Sequence, residues 1–517
     1  MPKIISPRTL AAQVVQRVLD DGAYSNIALD AAFKRHPKLS RRNRGLATEL
    51  TYGTLTWLRP IDVVLGKHVH RKFKSLDRDV LAVLRVATYQ FMKLDRIPEH
   101  AIISEAGRSV RSMRRGNRIV NFVNGVLRSM QRTREEQEAR RNEEAGVYKH
   151  PNKPQGRYVS PASKGAREDR DKDAPKKKDP SAPNTRDLLN LPRVNPKQWP
   201  TRYIGEGWSL PDWMAERWIE RFGLEEAEAL ARSLTERPPL SVRVSPWSQA
   251  GGKHLSPRDQ QGQRAGLGRK LDAALSELSP MGLLLPQSSA EATRLLQQGL
   301  ITHQDEAAQL VAMLANPRKN DRTLDACAGL GGKTAHLAEL MHDPGEERLV
   351  ALDPNESKLS LLGETFERLK LKPPTVVHGD LTEIKDALGE PFDLIVVDAP
   401  CSGLGVMRRH PEIRWTRTAE DIASLAKLQR DLLDAAATHL KPGGRLIYSV
   451  CTFTLEEGEQ QVADFLSRHD DFELDLEGGN SRVSWKKLDQ TAHGYNLLPH
   501  RTQADGFFIS RLKRKSA

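Results

Sequence analysis

Cysteine is scarce in this chain, with three residues in 517. So few thiols exclude a disulfide framework, and none has the Cys-x-x-Cys spacing of a structural zinc site, which suits a reducing cytoplasm. Long apolar runs are missing too. No uninterrupted stretch approaches the roughly 20 residues of a membrane span, and the start, Met1-Pro-Lys-Ile-Ile-Ser-Pro-Arg8, lacks the apolar core of a signal peptide. The expectation is a cytoplasmic protein with no membrane partner and no metal. Acidic residues fall short of basic ones, 67 against 80, leaving a formal charge of +13 and a sequence pI near 9.5. That surplus favours a polyanionic partner without identifying it.

Two of the cysteines close strand-like runs. Cys401 follows Phe392-Asp-Leu-Ile-Val-Val-Asp398 within Asp-Ala-Pro-Cys-Ser-Gly, and Cys451 follows Arg445-Leu-Ile-Tyr-Ser-Val450. Both runs are short, apolar and rich in β-branched residues, as in a parallel sheet, whose ligands gather at the carboxyl ends of strands. The two thiols are therefore expected to face one crevice. A single free cysteine is ordinarily a small buried hydrophobe; a pair at neighbouring strand ends suggests chemistry. Cys327 precedes a glycine-rich turn, so its side chain reads as packing while its backbone can still meet a ligand.

Thr323-Leu-Asp-Ala-Cys327 reads as a first strand, and Ala328, Gly329, Leu330, Gly331, Gly332, Lys333 and Thr334 as a tight turn into a helix. Glycines there let the backbone approach a ligand. A Walker A loop would need glycine where Cys327 stands, and the dinucleotide fingerprint would need one at Thr334, so a nucleotide-like ligand without that phosphate cradle fits better. Asp353, ending Leu349-Val-Ala-Leu, lies roughly 20 residues beyond the loop, the spacing of a ribose-binding carboxylate. Asp380 ends a third strand, placed for an adenine amino group, and Asp398 ends a fourth. Asp353 and Asp380 could instead cap helices, and Asp325 could hold the loop without touching a ligand.

These residues resemble the Sun (NOL1/NOP2/Sun) family of RNA cytosine-5 methyltransferases. Asp325-Ala-Cys-Ala-Gly-Leu-Gly-Gly-Lys-Thr334 looks like its S-adenosylmethionine loop, Asp398-Ala-Pro-Cys-Ser-Gly403 like its Pro-Cys motif and Tyr448-Ser-Val-Cys-Thr452 like its nucleophile motif. Gly405-Val-Met-Arg-Arg-His-Pro-Glu-Ile-Arg-Trp415 and Asp505-Gly-Phe-Phe508 are similar to the branch acting on bacterial 16S ribosomal RNA. The resemblance implies an α/β class I methyltransferase with a Rossmann-like seven-stranded sheet. It implies S-adenosylmethionine as cofactor, held by Cys327, Ala328, Gly329, Leu330, Gly331, Gly332, Lys333, Asp353, Asp380 and Asp398. It further implies that the Cys451 thiolate adds to carbon 6 of cytosine and makes carbon 5 nucleophilic. Asp398 would then hydrogen-bond the cytosine edge and share the ring proton, and Cys401 would serve release. Lys333 could favour the thiolate, orient Asp398, or be an ordinary first-turn lysine. Gly329-Leu330 stand where the family commonly has Ala-Pro, which should loosen the loop.

The length suggests about three domains. Residues 1–131 show helical periodicity without strand signals and resemble NusB, an RNA-binding helical fold, with Arg41, Arg42, Arg44, Arg108, Arg111, Arg114, Arg115 and Arg118 available either to phosphates or as solvated surface. Residues 132–195 are charged and rich in proline, and read as a mostly disordered linker whose first part can extend the preceding helix. Residues 196–299 read as a small α+β pre-catalytic domain, RNA-binding by resemblance, in which Trp208, Trp213 and Trp218 favour packing over base stacking. Its polar stretch Gly251 to Arg269 carries no legible pattern. Residues 300–517 read as a doubly wound α/β domain, the methyltransferase domain by resemblance, with a crossover helix from Ala419 between the two cysteine strands.

A cytosine inside a helix hides its reactive carbon, so the target should be unpaired or flipped out. Arg408, Arg409 and His410 follow the Pro-Cys motif and could hold the flanking backbone, although Arg409 could equally pair with Glu412. The expected partner is RNA, 16S ribosomal RNA by resemblance, and the expected state a monomer. A related enzyme acting on transfer RNA and a non-catalytic RNA-binding assembly factor are the competing readings; NAD chemistry is disfavoured by the loop counts.

Overall fold

The computed structural model describes residues 5–144, 147–149, 157–159, 194–247, 254–384 and 388–516. Most of the 132–195 linker, including Lys176 to Lys178, lies outside the described residues. The chain divides into two compact units, Met1–Ala231 with His410–Thr416, and Arg232–Arg409 with Arg417–Ala517. This division falls inside the 196–299 segment.

In the first unit, helices Pro7–Asp21, Ser25–Arg35, Arg41–Thr56, Leu58–His68, Arg78–Lys93, Glu99–Ser112 and Asn117–Glu144 pack around Val15, Val18, Leu50, Leu84, Val110 and Leu127. The first of them shows why these segments are helical. Pro7 supplies a preset φ at the opening turn, Ser6 caps it by accepting from Arg8 N, and Leu10, Val14 and Val18 share one buried stripe. Each such side chain contributes about 1.5–3 kcal/mol by leaving water. The last helix runs on to Glu144, as opposite charges at helical spacing led us to expect. Beyond it, β1 (Val147–Lys149) and β2 (Arg157–Val159) pair antiparallel.

Helices Pro200–Trp208 and Asp212–Phe222 also belong to this unit. Arg59 anchors the turn between them, donating to Leu210 O at 2.6 Å and pairing with Asp212 at 2.6 Å. Trp208 donates its indole N–H to Glu228 and Trp218 is buried, so both are engaged in packing. The segment His410–Thr416 joins the unit through Glu412. The helix Ser25–Arg35 has no side-chain cap from Tyr24. Glu412 serves instead, accepting from Ser25 N at 3.0 Å and Ser25 Oγ at 2.8 Å, where a carboxylate also meets the positive end of the helix dipole.

Among the described residues the second unit holds two sheets. β3 (Leu240–Val244), β4 (Ala274–Leu275), β5 (Gly282–Leu285) and β6 (Ile301–His303) form an antiparallel sheet in the order β4-β5-β3-β6. The polar stretch from Gly251 becomes, from Pro257 to Leu271, a helix capped by Ser256. Its helical period is hidden because only Leu267, Gly268 and Leu271 are buried on it.

The main sheet contains β7 (Thr323–Asp325), β8 (Leu349–Asp353), β9 (Thr375–His378), β10 (Phe392–Asp398), β11 (Leu440–Val450), β12 (Phe472–Leu474), β13 (Asp489–Gln490), β14 (Tyr495–Leu497) and β15 (Phe507–Arg514). Its order is β13-β14-β15-β11-β10-β7-β8-β9, with β12 also on β15. Among the described residues it is therefore a nine-stranded sheet, larger than the seven strands expected. The reason is β15, which is long enough for β14 to cover its start and β12 its end on the side away from β11, while β13 extends β14. The five strands from β9 to β11 run parallel. The chain passes from β7 outward through β8 and β9, then returns to the other side of β7 as β10 and β11, so strand order reverses between β7 and β10. Ligands of doubly wound folds bind at such a switch point.

Candidate active site

Register brings the predicted residues to one edge of this sheet. Asp398 pairs with Ser449 across β10 and β11, and Asp325 of β7 pairs with Val396 of β10 and Ala351 of β8. Cys401 and Cys451 therefore leave adjacent strand ends, and their sulfurs lie 3.2 Å apart, both partly exposed. Backbone bonds fix that approach: Ala399 N donates to Ser449 O, and Gly405 N donates to Cys451 O. Gly405 and Gly506 pack backbone to backbone, since a Cβ on Gly405 would stand 1.9 Å from Gly506 O.

Lys333, in the first turn of the helix Gly332–Leu340, donates to Asp398 at 2.5 Å, and Ser449 Oγ donates to the other Asp398 oxygen at 2.7 Å. Burial works against the Lys333 charge, but Asp398 outweighs it and holds the ammonium above its usual range, with the nearby Cys451 adding to the effect. Both side chains retain some exposure, 17% and 26%, so the pair is reachable by a ligand. Cys327 packs against the core beside β7, and burial pushes its thiol up. It is a poor candidate for a nucleophile.

The glycine-rich turn is held from behind by Asp353, which accepts from Gly329 N at 2.8 Å and from Asn355 N at 2.9 Å. Asp380 accepts from Thr382 N and Thr382 Oγ1, closing its own turn. Gly329 and Gly331 have φ of 54° and 80°, which favour glycine, and a Cβ on Gly331 would strike Leu362. At Gly329 and Gly332 a Cβ would meet nothing within 4 Å, so the turn borders open space. Asp325 is buried; Thr334 Oγ1 donates to its Oδ2, and its Oδ1 has no hydrogen bond among the described residues. An acidic rim of Asp325, Asp353, Asp380 and Asp398 around an open glycine turn fits a cationic sulfonium ligand such as S-adenosylmethionine. No group of three His, Cys, Asp or Glu placed to hold a metal occurs among the described residues.

Other predicted residues fall elsewhere. Arg408 and Arg409 do not present themselves to a substrate, because both are consumed in a buried cluster. Arg408 pairs with Asp505 at 2.8 Å, and Arg409 pairs with Asp505 at 2.5 Å and Asp305 at 2.8 Å, not with Glu412. Burial, then the charge of Asp505, pushes the Asp305 carboxyl up, and the two guanidiniums oppose that. Asp305 also accepts from Ala307 N and Asp505 N, tying the start of the helix Glu306–Ala315 to the approach to β15. Among the amino-terminal arginines, Arg44 bonds Leu39 O and Pro37 O, Arg108 pairs with Glu105, and Arg115 pairs with Asp77 and Asp79. Arg41, Arg42, Arg111, Arg114 and Arg118 remain exposed.

Sequence reading missed Glu457 and Gln429. Glu457 is buried six residues after Cys451 and accepts from Ser402 N, Ser402 Oγ and Gln429 Nε2; Gln429 also donates to Pro400 O. The signal was a second carboxylate directly after the nucleophile motif, which reads as ordinary helix-start acid.

A doubly wound sheet, a glycine turn at its switch point and an acidic rim define a Rossmann-like methyltransferase domain. Comparison with known proteins gives the family. Residues 312–513 match the model described as 16S rRNA methyltransferase RsmB/F, and residues 5–132 match the NusB family. The probable ribosomal RNA small subunit methyltransferase B of Bacillus subtilis is 30% identical over 99% of this chain and 100% of its own. The ribosomal RNA small subunit methyltransferase B of Shewanella oneidensis is 31% identical over 98% of each chain. Among solved structures, PH0851 superposes with a TM-score of 0.68 at 23% identity over 99% of both chains, a likeness of fold. The chain belongs to the RsmB/F family of S-adenosylmethionine-dependent RNA methyltransferases, with a NusB-family domain at its amino-terminal end.

Proposed function

We propose that this protein methylates carbon 5 of one cytosine in 16S ribosomal RNA through a covalent Cys451 adduct. The observation that carries the reading is the pair of sulfurs 3.2 Å apart at neighbouring parallel strand ends, beside the Lys333–Asp398 pair. S-adenosylmethionine, when bound, supplies a methyl group on a sulfonium. Asp353, Asp380, Lys333, Asp398 and the backbone from Cys327 to Gly332 would hold it.

Cys451 attacks carbon 6 as a thiolate, and Asp398 hydrogen-bonds the cytosine edge and shares the proton that the ring gains. Carbon 5 thereby becomes enamine-like and nucleophilic toward a methyl group, which a bound sulfonium would give up in becoming a neutral thioether. A base in the site then removes the carbon 5 proton, that electron pair restores the 5,6 double bond, and the carbon–sulfur pair returns to Cys451. Cys401 serves this release, standing close enough to donate a proton to the departing sulfur. The relatives' names support ribosomal RNA of the small subunit as the substrate. The exposed arginines of the NusB-like unit suit phosphate contacts. We further propose that the protein acts as a monomer in the cytoplasm; no helix among the described residues is long and apolar enough to cross a membrane.

The test is to incubate the protein with S-adenosylmethionine and a 16S RNA transcript containing 5-fluorocytidine, which traps the adduct because fluorine cannot leave as a proton does. A denaturation-resistant complex, absent in Cys451→Ser and mapped to one cytosine, is expected. A complex that forms equally in Cys451→Ser would remove the assignment. Bisulfite sequencing of RNA from cells with and without the protein identifies the base. A lost signal in transfer RNA instead of 16S RNA would replace the substrate.

A further inference from the structure

Glu457 is buried with 0% exposure in the turn between Cys451 and the helix Glu459–Arg468. Its carboxylate accepts from Ser402 N at 2.7 Å, Ser402 Oγ at 2.5 Å, Thr454 Oγ1 at 2.8 Å and Gln429 Nε2 at 3.1 Å. None of these donors carries a charge. A buried carboxylate without a cation is expensive, and it survives where several aligned donors replace its water. Glu457 O also accepts from Tyr448 OH at 2.6 Å. Ser402 directly follows Cys401 and Tyr448 lies three residues before Cys451, so one residue laces both cysteine segments together. Gln429 adds Pro400 O from the helix Ala419–Thr438.

The charges around the two sulfurs are unequal. Lys333 lies on the side of Asp398 and Cys451, both of which favour its ammonium. Glu457 lies on the side of Cys401. The Cys401 thiol is pushed well above its usual range by its hydrogen bond with Cys451, by burial, and by the charges of Cys451, Glu457 and Asp398. Tyr448 is buried and neutral beside them, and Arg417 donates to Ser402 O at 3.1 Å.

We propose that Glu457 is a positioning residue: it clamps the Cys401 segment to the Cys451 segment and keeps the proton of the sulfur pair on Cys401. Cys451 is thereby left as the sulfur free to attack, and Cys401 as the one able to donate when the adduct breaks. The inference rests on the reading of Cys451 as nucleophile, but its test needs neither RNA nor turnover.

In full-length protein, the pH dependence of iodoacetamide alkylation at Cys401 is followed by peptide mass spectrometry for wild type, Glu457→Gln and Glu457→Asp. Removing a like charge that reaches Cys401 through the neighbouring Ser402 should shift the Cys401 midpoint downward by about one unit, raising its thiolate fraction about tenfold and its alkylation rate several-fold near pH 7.5. Glu457→Asp keeps the charge and should keep the wild-type midpoint. A role confined to packing would raise rates in both variants at every pH without moving the midpoint, and that result overturns the inference. Should Glu457→Gln fail to fold, Glu457→Asp decides alone through rate and midpoint together: a wild-type midpoint at the wild-type rate supports the inference, and a raised rate at the wild-type midpoint, or a lowered midpoint, overturns it. Absence of the fluorocytidine adduct with the midpoint shift intact would sink the proposed reaction and leave the charge arrangement standing.

Discussion

Asp325→Asn should stabilise this protein at neutral pH. Asp325 is 1% exposed at the end of β7, and Thr334 Oγ1 donates to its Oδ2 at 2.7 Å. Burial, reinforced by the charge of Asp398 and opposed by the Thr334 bond, the Lys333 charge and the Cys327 backbone N–H, moves its carboxyl from the ordinary 3.8 to about 6. The unfolded chain therefore ionises this group before the folded one does. Stability present below about pH 4 is lost as pH rises through about 6, the raised folded value. Two units and a little more correspond to about 3 kcal/mol above pH 7, and roughly half that at pH 5. Asparagine keeps an oxygen for Thr334 and has no charge to bury. Thermal unfolding should give a melting temperature higher by roughly 5–10 °C at pH 8 and by about half as much at pH 5. An equal gain at both pH values, or a loss at pH 8, would refute the burial argument.

Other outcomes follow from the same geometry. Cys401→Ser should accumulate the covalent protein–RNA complex with unmodified RNA, visible on denaturing gels, while a variant that turns over freely would reject the release role. Asp505→Asn leaves two guanidiniums beside one buried carboxylate and should cost about 3 kcal/mol in urea unfolding, since breaking a buried pair strands its partner. Arg409→Met should destabilise likewise without changing the salt dependence of RNA binding, because Arg409 is spent inside the fold. The triple change Arg41→Gln, Arg42→Gln, Arg118→Gln should weaken RNA binding and flatten its logarithmic salt slope by about 0.7–0.9 for each phosphate no longer neutralised. An unchanged slope would place the RNA-binding surface elsewhere.

Local features carried much of this protein on the surface of its sequence. β10 and β11 were legible because a strand buried on both faces must be apolar throughout, and the residues just beyond such strands had to include Cys401 and Cys451. The turn from Ala328 to Thr334 was legible because only glycine readily takes the φ that Gly329 and Gly331 adopt. The helices of the NusB-like unit announced themselves by periodicity, since one stripe faces the core. The helix Pro257–Leu271 did not, because it buries too few residues to leave a period.

What the tertiary structure alone decided are pairings between distant residues. Arg408 and Arg409 look like substrate contacts in sequence, and only the fold brings Asp505, nearly a hundred positions away, and Asp305 to neutralise them. Glu412 looks like a partner for Arg409, but it caps the helix beginning at Ser25. Glu457 looks like surface acid, until four uncharged donors from three segments converge on it. Backbone preference and hydrophobic period are written within a few residues of their effect, so sequence can state them. A charge buried among residues scattered along the chain depends on which of them arrive together, and that is settled only when the chain closes on itself.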